Sequence, residues 1–206
     1  MSPSVPERAP GYLWLDAEFS SLELETAEIL QIALMATDAN LKRLAPPEKD
    51  VVLFIKRQDD RDISPWVKEH IPHIVKGCLR PDAVSLGDAE VRLCGYIDRV
   101  MGPIQENPGR RPLIAGNSVH NDWYLLRRLL PGLLNRSHYR LLDVSTLKTQ
   151  WTDWWGHPLP PKEDPDFIRE HFPEANLTGD MREHDAYFDI QASVAELAYY
   201  RKHLKG

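Results

Sequence analysis

Asp16 and Glu18 lie two residues apart at the end of the apolar run Tyr12-Leu13-Trp14-Leu15. Such a run reads as a buried strand, and strand side chains alternate between faces, so both carboxylates leave the same face. Two carboxylates forced together repel each other unless a cation neutralises them, and hard oxygen ligands of this kind suit Mg²⁺ or Mn²⁺. The spacing alone is a weak signal, because a chain this acidic contains about one D-x-E by chance. A second pair, Asp88 and Glu90, falls on a predicted helix, where positions i and i+2 do not share a face, and reads as solvated surface. The apolar residues directly before Asp16 distinguish the first pair and point to a sheet edge at a site.

Two further acids lie far downstream. Asp122 follows Gly116-Asn117-Ser118-Val119-His120-Asn121. A strand, a turn and an acid near a helix start is also an N-cap pattern, and capping and chemistry both stand for Asp122 on these residues. Asp189 lies in the last predicted helix, on the side of Ala186 and Ile190. An acid facing a core is costly unless it is paired or coordinates a metal, which favours function there. His184, five residues before Asp189, reads by itself as a surface or capping residue, as do His120, His138, His157 and His171.

The elements that must position these groups follow from pattern. Strands are predicted at Tyr12–Glu18, Glu28–Thr37 and Val51–Lys56, with a turn at 37–40, as an antiparallel meander. Ser64-Pro65 starts a short helix at Trp66. Ser85–Met101 is a longer helix with Val91, Leu93, Cys94, Ile97, Val100 and Met101 near a 3.6-residue period. A strand at Pro112–Ala115, a helix at Asp122–Leu130 stopped by Pro131-Gly132, and a strand at Tyr139–Leu142 come next. Asp143-Val144-Ser145 opens a helix to about Trp154. The Pro-, Gly- and charge-rich stretch from Trp155 to Asp180 reads as an irregular excursion. The last helix, from about His184 to Lys202, buries Ala186, Ile190, Val194, Leu197 and Ala198. Strands first and then strands alternating with helices give an α/β class with a mixed sheet.

Composition narrows the partners. The chain has 206 residues, 31 acidic against 25 basic, a net charge of −6, 42% apolar residues and 27% charged ones, which is globular and not disordered. The acidic balance argues against a broad positive surface for long nucleic acid, while a short strand held in one local site remains compatible. Two cysteines, Cys78 and Cys94, make no metal or disulfide motif and suit a reducing cytoplasm. No run approaches the roughly 18–20 apolar residues of a membrane span. Residues 1–10, with three prolines and no apolar h-region, read as a disordered arm before one domain at 11–206.

Taken together, the strand D-x-E, the acid after Gly-Asn-Ser and the final H-x-x-x-x-D run in one order along the chain. The chain resembles the oligoribonucleases, members of the DEDDh class of 3′-to-5′ exonucleases, from about Leu13 to His203. The resemblance rests on LDAEFSSLE, TDANL, Trp66-Val67-x-x-His70, GNSVHNDWYLLRRLLP, HYRLLDVSTLK and HDAYFDIQASVAELAYYRKH. It implies a ribonuclease H-like fold, a mixed five-stranded sheet flanked by helices. It implies that Asp16, Glu18, Asp122 and Asp189 hold two divalent cations, Mg²⁺ or Mn²⁺, and that His184 is the general base. It implies short RNA as substrate, dinucleotides with a 5′ phosphate above all, released as nucleoside 5′-monophosphates. Leu22 would wedge between bases and Trp66 would stack on one. Ser118, His138, Arg140 and Ser145 would close around the 5′ phosphate, and Tyr139 would reach the site of the partner in a homodimer.

The chain departs from the family pattern in four places. Phe19-Ser20-Ser21 stands where Met-Thr-Gly is usual, which bears on the turn presenting Leu22. Trp123-Tyr124 replaces a pair that is commonly polar or basic after the third acid. The 155–180 excursion is longer than in compact bacterial members and follows Trp154-Trp155. Asp185 adds an acid beside His184, which raises the histidine pKa if the two charges lie close. The competing readings are a DEDDh exonuclease on longer single-stranded RNA or DNA ends, suggested by Ser21, and a non-catalytic binding module, suggested by the tryptophans.

Overall fold

The computed structural model describes residues 11–178 and 184–204. The predicted arm at 1–10 and the last two residues of the excursion lie outside them. The strands are β1 (Tyr12–Phe19), β2 (Ile29–Thr37), β3 (Val51–Phe54), β4 (Leu113–Gly116) and β5 (Leu141–Asp143). The helices are α1 (Pro65–His70), α2 (Pro72–Cys78), α3 (Leu86–Met101), α4 (His120–Leu129), α5 (Pro131–Leu134), α6 (Val144–Asp153), α7 (Pro165–His171) and α8 (Ala186–Leu204).

One five-stranded sheet has the order β3-β2-β1-β4-β5. β1–β2 and β2–β3 are antiparallel, as the meander predicted, and β1–β4 and β4–β5 are parallel. The sheet is therefore mixed and β1 is central. Helices cover both faces, so β1 and β2 read as nearly continuous apolar runs.

Alternation along β1 divides the core in two. Leu13, Leu15 and Ala17 pack with Ile32 and Leu34 against Leu93, Ile97 and Leu125 of α3 and α4. Trp14 faces the other way and packs with Ala33, Met35 and Ala115 against α6, α7 and α8. Asp16 and Glu18 keep the parity of Trp14, so the sheet turns them toward α8. The Trp14 indole N–H, fully buried, donates to Thr37 Oγ1 at 2.9 Å, the polar partner such a ring needs.

Helix α8 is buried along most of its length because it lies between the sheet and α7, with Trp151 of α6 and Phe167 of α7 packed against it. Among the described residues, no helix is long and apolar enough to cross a membrane.

The structure corrects several expectations. Val91 is 72% exposed and lies outside the buried stripe of α3, which Ala89, Leu93, Cys94, Tyr96 and Ile97 form. Glu90 is not simply solvated: its Oε1 accepts the Gly132 N–H at 2.6 Å, tying α3 to the start of α5. The fifth strand begins at Leu141, because Tyr139 and Arg140 remain at the surface before it. The excursion contains α7, capped by Asp164 and started by Pro165, whose Phe167 and Ile168 are buried. Pattern did not reveal α2 or α5, both short helices begun by proline.

Candidate active site

Three chain ends meet at the C-terminal half of β1. The first is β1 itself. The second is the start of α4, brought there by β4 running parallel to β1; at Gly116 a Cβ would lie 2.9 Å from Leu15 O, so the approach requires glycine. Asp122 is buried in the first turn of α4, and its Oδ1 accepts the Ala17 N–H at 2.9 Å. It does not cap α4: Val119 precedes the helix and no side chain caps it. The open choice at Asp122 thus resolves into a bond that fixes the carboxylate against the strand carrying Asp16 and Glu18.

The third end is the start of α8. Asp189, in its first turn, accepts the His184 N–H through Oδ2 at 2.9 Å. His184 has φ +62°, a left-handed conformation uncommon for a residue with a Cβ, and this bond helps hold it there. Its ring meets Trp66 edge-on, with centroids 5.7 Å apart. Glu18, His184 and Asp189 each present a ligand atom within 4.8 Å of the others.

The carboxylates strain one another electrostatically. Burial, then the charges of Asp122, Asp189 and Glu18, raise the Asp16 pKa well above the usual carboxylate range, with Lys162 opposing. Burial, then Asp189 and Asp185, push Glu18 up to about 7. Burial pushes Asp122 up to about 8, against the backbone hydrogen bond from Ala17. A cluster that is costly to ionise in isolation is what a divalent cation relieves, and all four acids are oxygen donors. The residues present therefore fit divalent metal.

Asp185, the acid next to His184, bonds to the start of α8 and to β2. Its Oδ1 accepts the N–H groups of Tyr187 and Phe188 at 3.1 and 3.4 Å, and its Oδ2 accepts from Gln31 Nε2 at 3.3 Å. It caps α8 and anchors it to β2, while its charge acts on Glu18.

Asp16, Glu18, Asp122, His184 and Asp189 line one cleft of about 230 Å³, together with Ser118 and Lys162. A larger groove of about 560 Å³, lined by Leu22, Ser64, Trp66 and Ile71, adjoins it through Glu18, Phe19 and His184. Leu22 is 89% exposed at its rim. Ser21 is not among the residues with positive φ, so the turn presents Leu22 without needing the family glycine. The Trp66 ring stacks on His70, with centroids 4.4 Å apart.

The remaining sequence-derived residues fall into two groups. The Ser118 N–H donates to Ser145 Oγ at 2.9 Å and to Asp143 Oδ1 at 3.0 Å, which sets both hydroxyls beside the acid cleft. His138, Tyr139 and Arg140 form a separate cluster: the Tyr139 ring, 68% exposed, stacks on the buried His138 and faces the Arg140 guanidinium. They line neither cleft.

Sequence reasoning missed three contributors. Asn117 donates to Ser193 Oγ and to the buried Glu196 at 3.0 and 2.8 Å and accepts from Ser145 at 3.1 Å. Gln31 accepts the first N–H of α8 at 2.9 Å. Lys162 enters the cleft from the excursion. Gln31 and Glu196, polar residues within otherwise apolar runs, were the available signal for the first two.

The family model described as Exonuclease matches residues 13–197. The chain is 32% identical over 197 residues to the mitochondrial oligoribonuclease of Homo sapiens, covering 93% of this chain and 72% of that one. It is 32% identical over 202 residues to the oligoribonuclease of Yersinia enterocolitica, covering 97% and 98%. Among solved structures, a zinc-bound complex of E. coli exonuclease I with single-stranded DNA superposes with TM-score 0.62 at 16% identity over 96% of this chain, which spans 42% of that one. S. pombe Pop2p, bound to Mg²⁺ and Mn²⁺, superposes with TM-score 0.58 at 15% identity, covering 95% and 84%. The solved structures establish the shared fold, a ribonuclease H-like mixed sheet flanked by helices. The match across nearly the whole chain and the identity to full-length relatives together establish that the chain belongs to the oligoribonuclease family of exonucleases.

Proposed function

We propose that the acid cleft is where this chain, a metal-dependent 3′-to-5′ exoribonuclease of short RNA, cleaves the last phosphodiester, and that 5′-phosphorylated dinucleotides are its preferred substrate. The observation that carries this reading is the convergence of Asp16, Glu18, Asp122, Asp189 and His184 on one cleft that opens directly into the Leu22–Trp66 groove.

Asp16, Glu18, Asp122 and Asp189 would hold two cations, Mg²⁺ or Mn²⁺, which when bound stabilise the charge on the attacking and leaving oxygens of an in-line displacement. His184 takes the proton from the attacking water; an imidazole suits this because its ordinary pKa of about 6.5 lies near working pH. Its backbone bond to Asp189 and its edge contact with Trp66 hold the ring between the phosphate and base sites. Trp66 takes a base on its face, Leu22 separates neighbouring bases, and the Ser118 and Ser145 hydroxyls meet the 5′ phosphate. Stacking is sequence-tolerant, at roughly 1–3 kcal/mol per base.

The exposed Tyr139 and Arg140, backed by the buried His138, complete the cap in a homodimer, with Tyr139 reaching the partner's groove. The two buried free thiols, Cys78 and Cys94, fit a reducing cytoplasm.

The test is a length series: purified protein with Mg²⁺ or Mn²⁺ and 5′-labelled RNAs of two to about seven residues. The dinucleotide should decay fastest. A heptamer that decays as fast or faster removes the length preference, and no decay of any length removes the assignment of the cleft.

A further inference from the structure

The excursion between α6 and α8, which no catalytic role had absorbed, delivers one positive charge into the acid cleft. Among the described residues, Lys162 is the only Lys or Arg lining it. The side chain is 19% exposed, and its Nζ lies 3.6 Å from Glu163 Oε1, a contact too long for a hydrogen bond. The loop holds it in place from both sides. Upstream, Trp151 Nε1 donates to Pro158 O at 2.9 Å, and Pro160 is buried. Downstream, the Asp164 N–H donates to Pro161 O at 2.9 Å, and Asp164 then caps α7, whose Phe167 and Ile168 are packed into the core. The prolines at 158, 160 and 161 restrict the backbone before Lys162. An ammonium presented this way has lost much of the freedom a surface lysine keeps.

We propose that Lys162 binds a non-bridging oxygen of the scissile phosphodiester. This rests on the reading of the cleft given above and adds a substrate-binding residue to it. Four carboxylates balance the charge of two divalent cations, so a loaded cleft offers an incoming phosphodiester anion little net attraction. The Lys162 ammonium supplies it, as a compact charge with three donors. Its charge already acts on Asp16 in the cleft, which places it within electrostatic reach of the position the phosphate takes.

The test compares Lys162→Ala, Lys162→Gln and Lys162→Arg with the wild type, each first confirmed to melt as the wild type does. The two probes are a 5′-phosphorylated dinucleotide and the same molecule with an uncharged methylphosphonate linkage, used as a competitive inhibitor. Loss of one charged contact predicts that kcat/KM for the phosphodiester falls about 10- to 100-fold in the Ala and Gln variants. The inhibition constant of the methylphosphonate should change less than about twofold, because that probe has no anion for Lys162 to meet. Lys162→Arg should recover most of the loss. An unchanged kcat/KM, an equal loss with both probes, or a change confined to the metal concentration needed for half-activity would each overturn the assignment; the last would show that the lysine only offsets the acids. Wild-type turnover, with its loss in Asp16→Asn, tests the cleft itself, so the two ideas fail separately.

Discussion

Glu18 offers a measurement of the strain in the site that does not depend on turnover. Burial beside the charges of Asp189 and Asp185 carries its carboxyl from 4.5 to about 7. The folded protein therefore binds this proton more tightly than the unfolded chain does. A raised carboxylate pKa means that stability is greatest at or below pH 4.5 and declines as pH rises through about 7. At about 1.4 kcal/mol per pH unit, Glu18 destabilises the metal-free fold by roughly 3 kcal/mol above pH 7. Glu18→Gln removes that charge with little change of shape. For a chain of this size each kcal/mol moves the Tm by about 2–4 °C, so the metal-free variant should melt about 6–12 °C above the wild type at pH 8. The gap should shrink toward pH 4.5 and close below it, where the wild-type carboxyl is protonated in both states. Added Mg²⁺ should raise the wild-type Tm more than the variant's, because the variant has lost a ligand along with the repulsion. Calorimetry in chelator at pH 5 and pH 8, then with Mg²⁺, measures all three. A gap of the same size at both pH values, or a variant that melts lower at pH 8, would refute the electrostatic account of the cluster.

Two further predictions concern the proposed roles. His184→Ala should lower kcat by about 10²–10⁴-fold while KM for the dinucleotide changes far less, since the Leu22–Trp66 groove remains; steady-state kinetics at several pH values reads this, and a wild-type rate would reject the general base. Tyr139→Ala should raise KM by about 5- to 150-fold, the equivalent of roughly 1–3 kcal/mol of stacking, while sedimentation still shows a dimer; a fully active wild-type monomer would end the shared-site idea.

Much of the site was legible before any coordinates, for a local reason. The parity of β1 alone put Asp16 and Glu18 on one side, and the side proved to be that of Trp14 and α8. Parity does not depend on which strands become neighbours. By contrast, the residues around Asp122 alone favour a cap, and only β4 running beside β1 brings its carboxylate to the Ala17 N–H. The direction of Asp185 was likewise open, because it is set by Gln31, on a distant strand, which donates to its carboxylate. Val91 fitted a helical period that α3 contains, yet the face α3 turns to the sheet is set by Leu93 and Ile97, and Val91 points outward.

The amino-acid order by itself therefore determined which groups could do chemistry, that two of them share a face, and that α8 buries an apolar side. Each follows from the 2.0- and 3.6-residue periods and from the cost of burying charge. The fold alone decided which of these groups meet, what holds them, and that Lys162 stands among them. A contact between residues more than a hundred positions apart depends on every crossover between them, and the placement of a loop depends on what its two ends are packed against. Neither quantity is written in any local stretch of the chain.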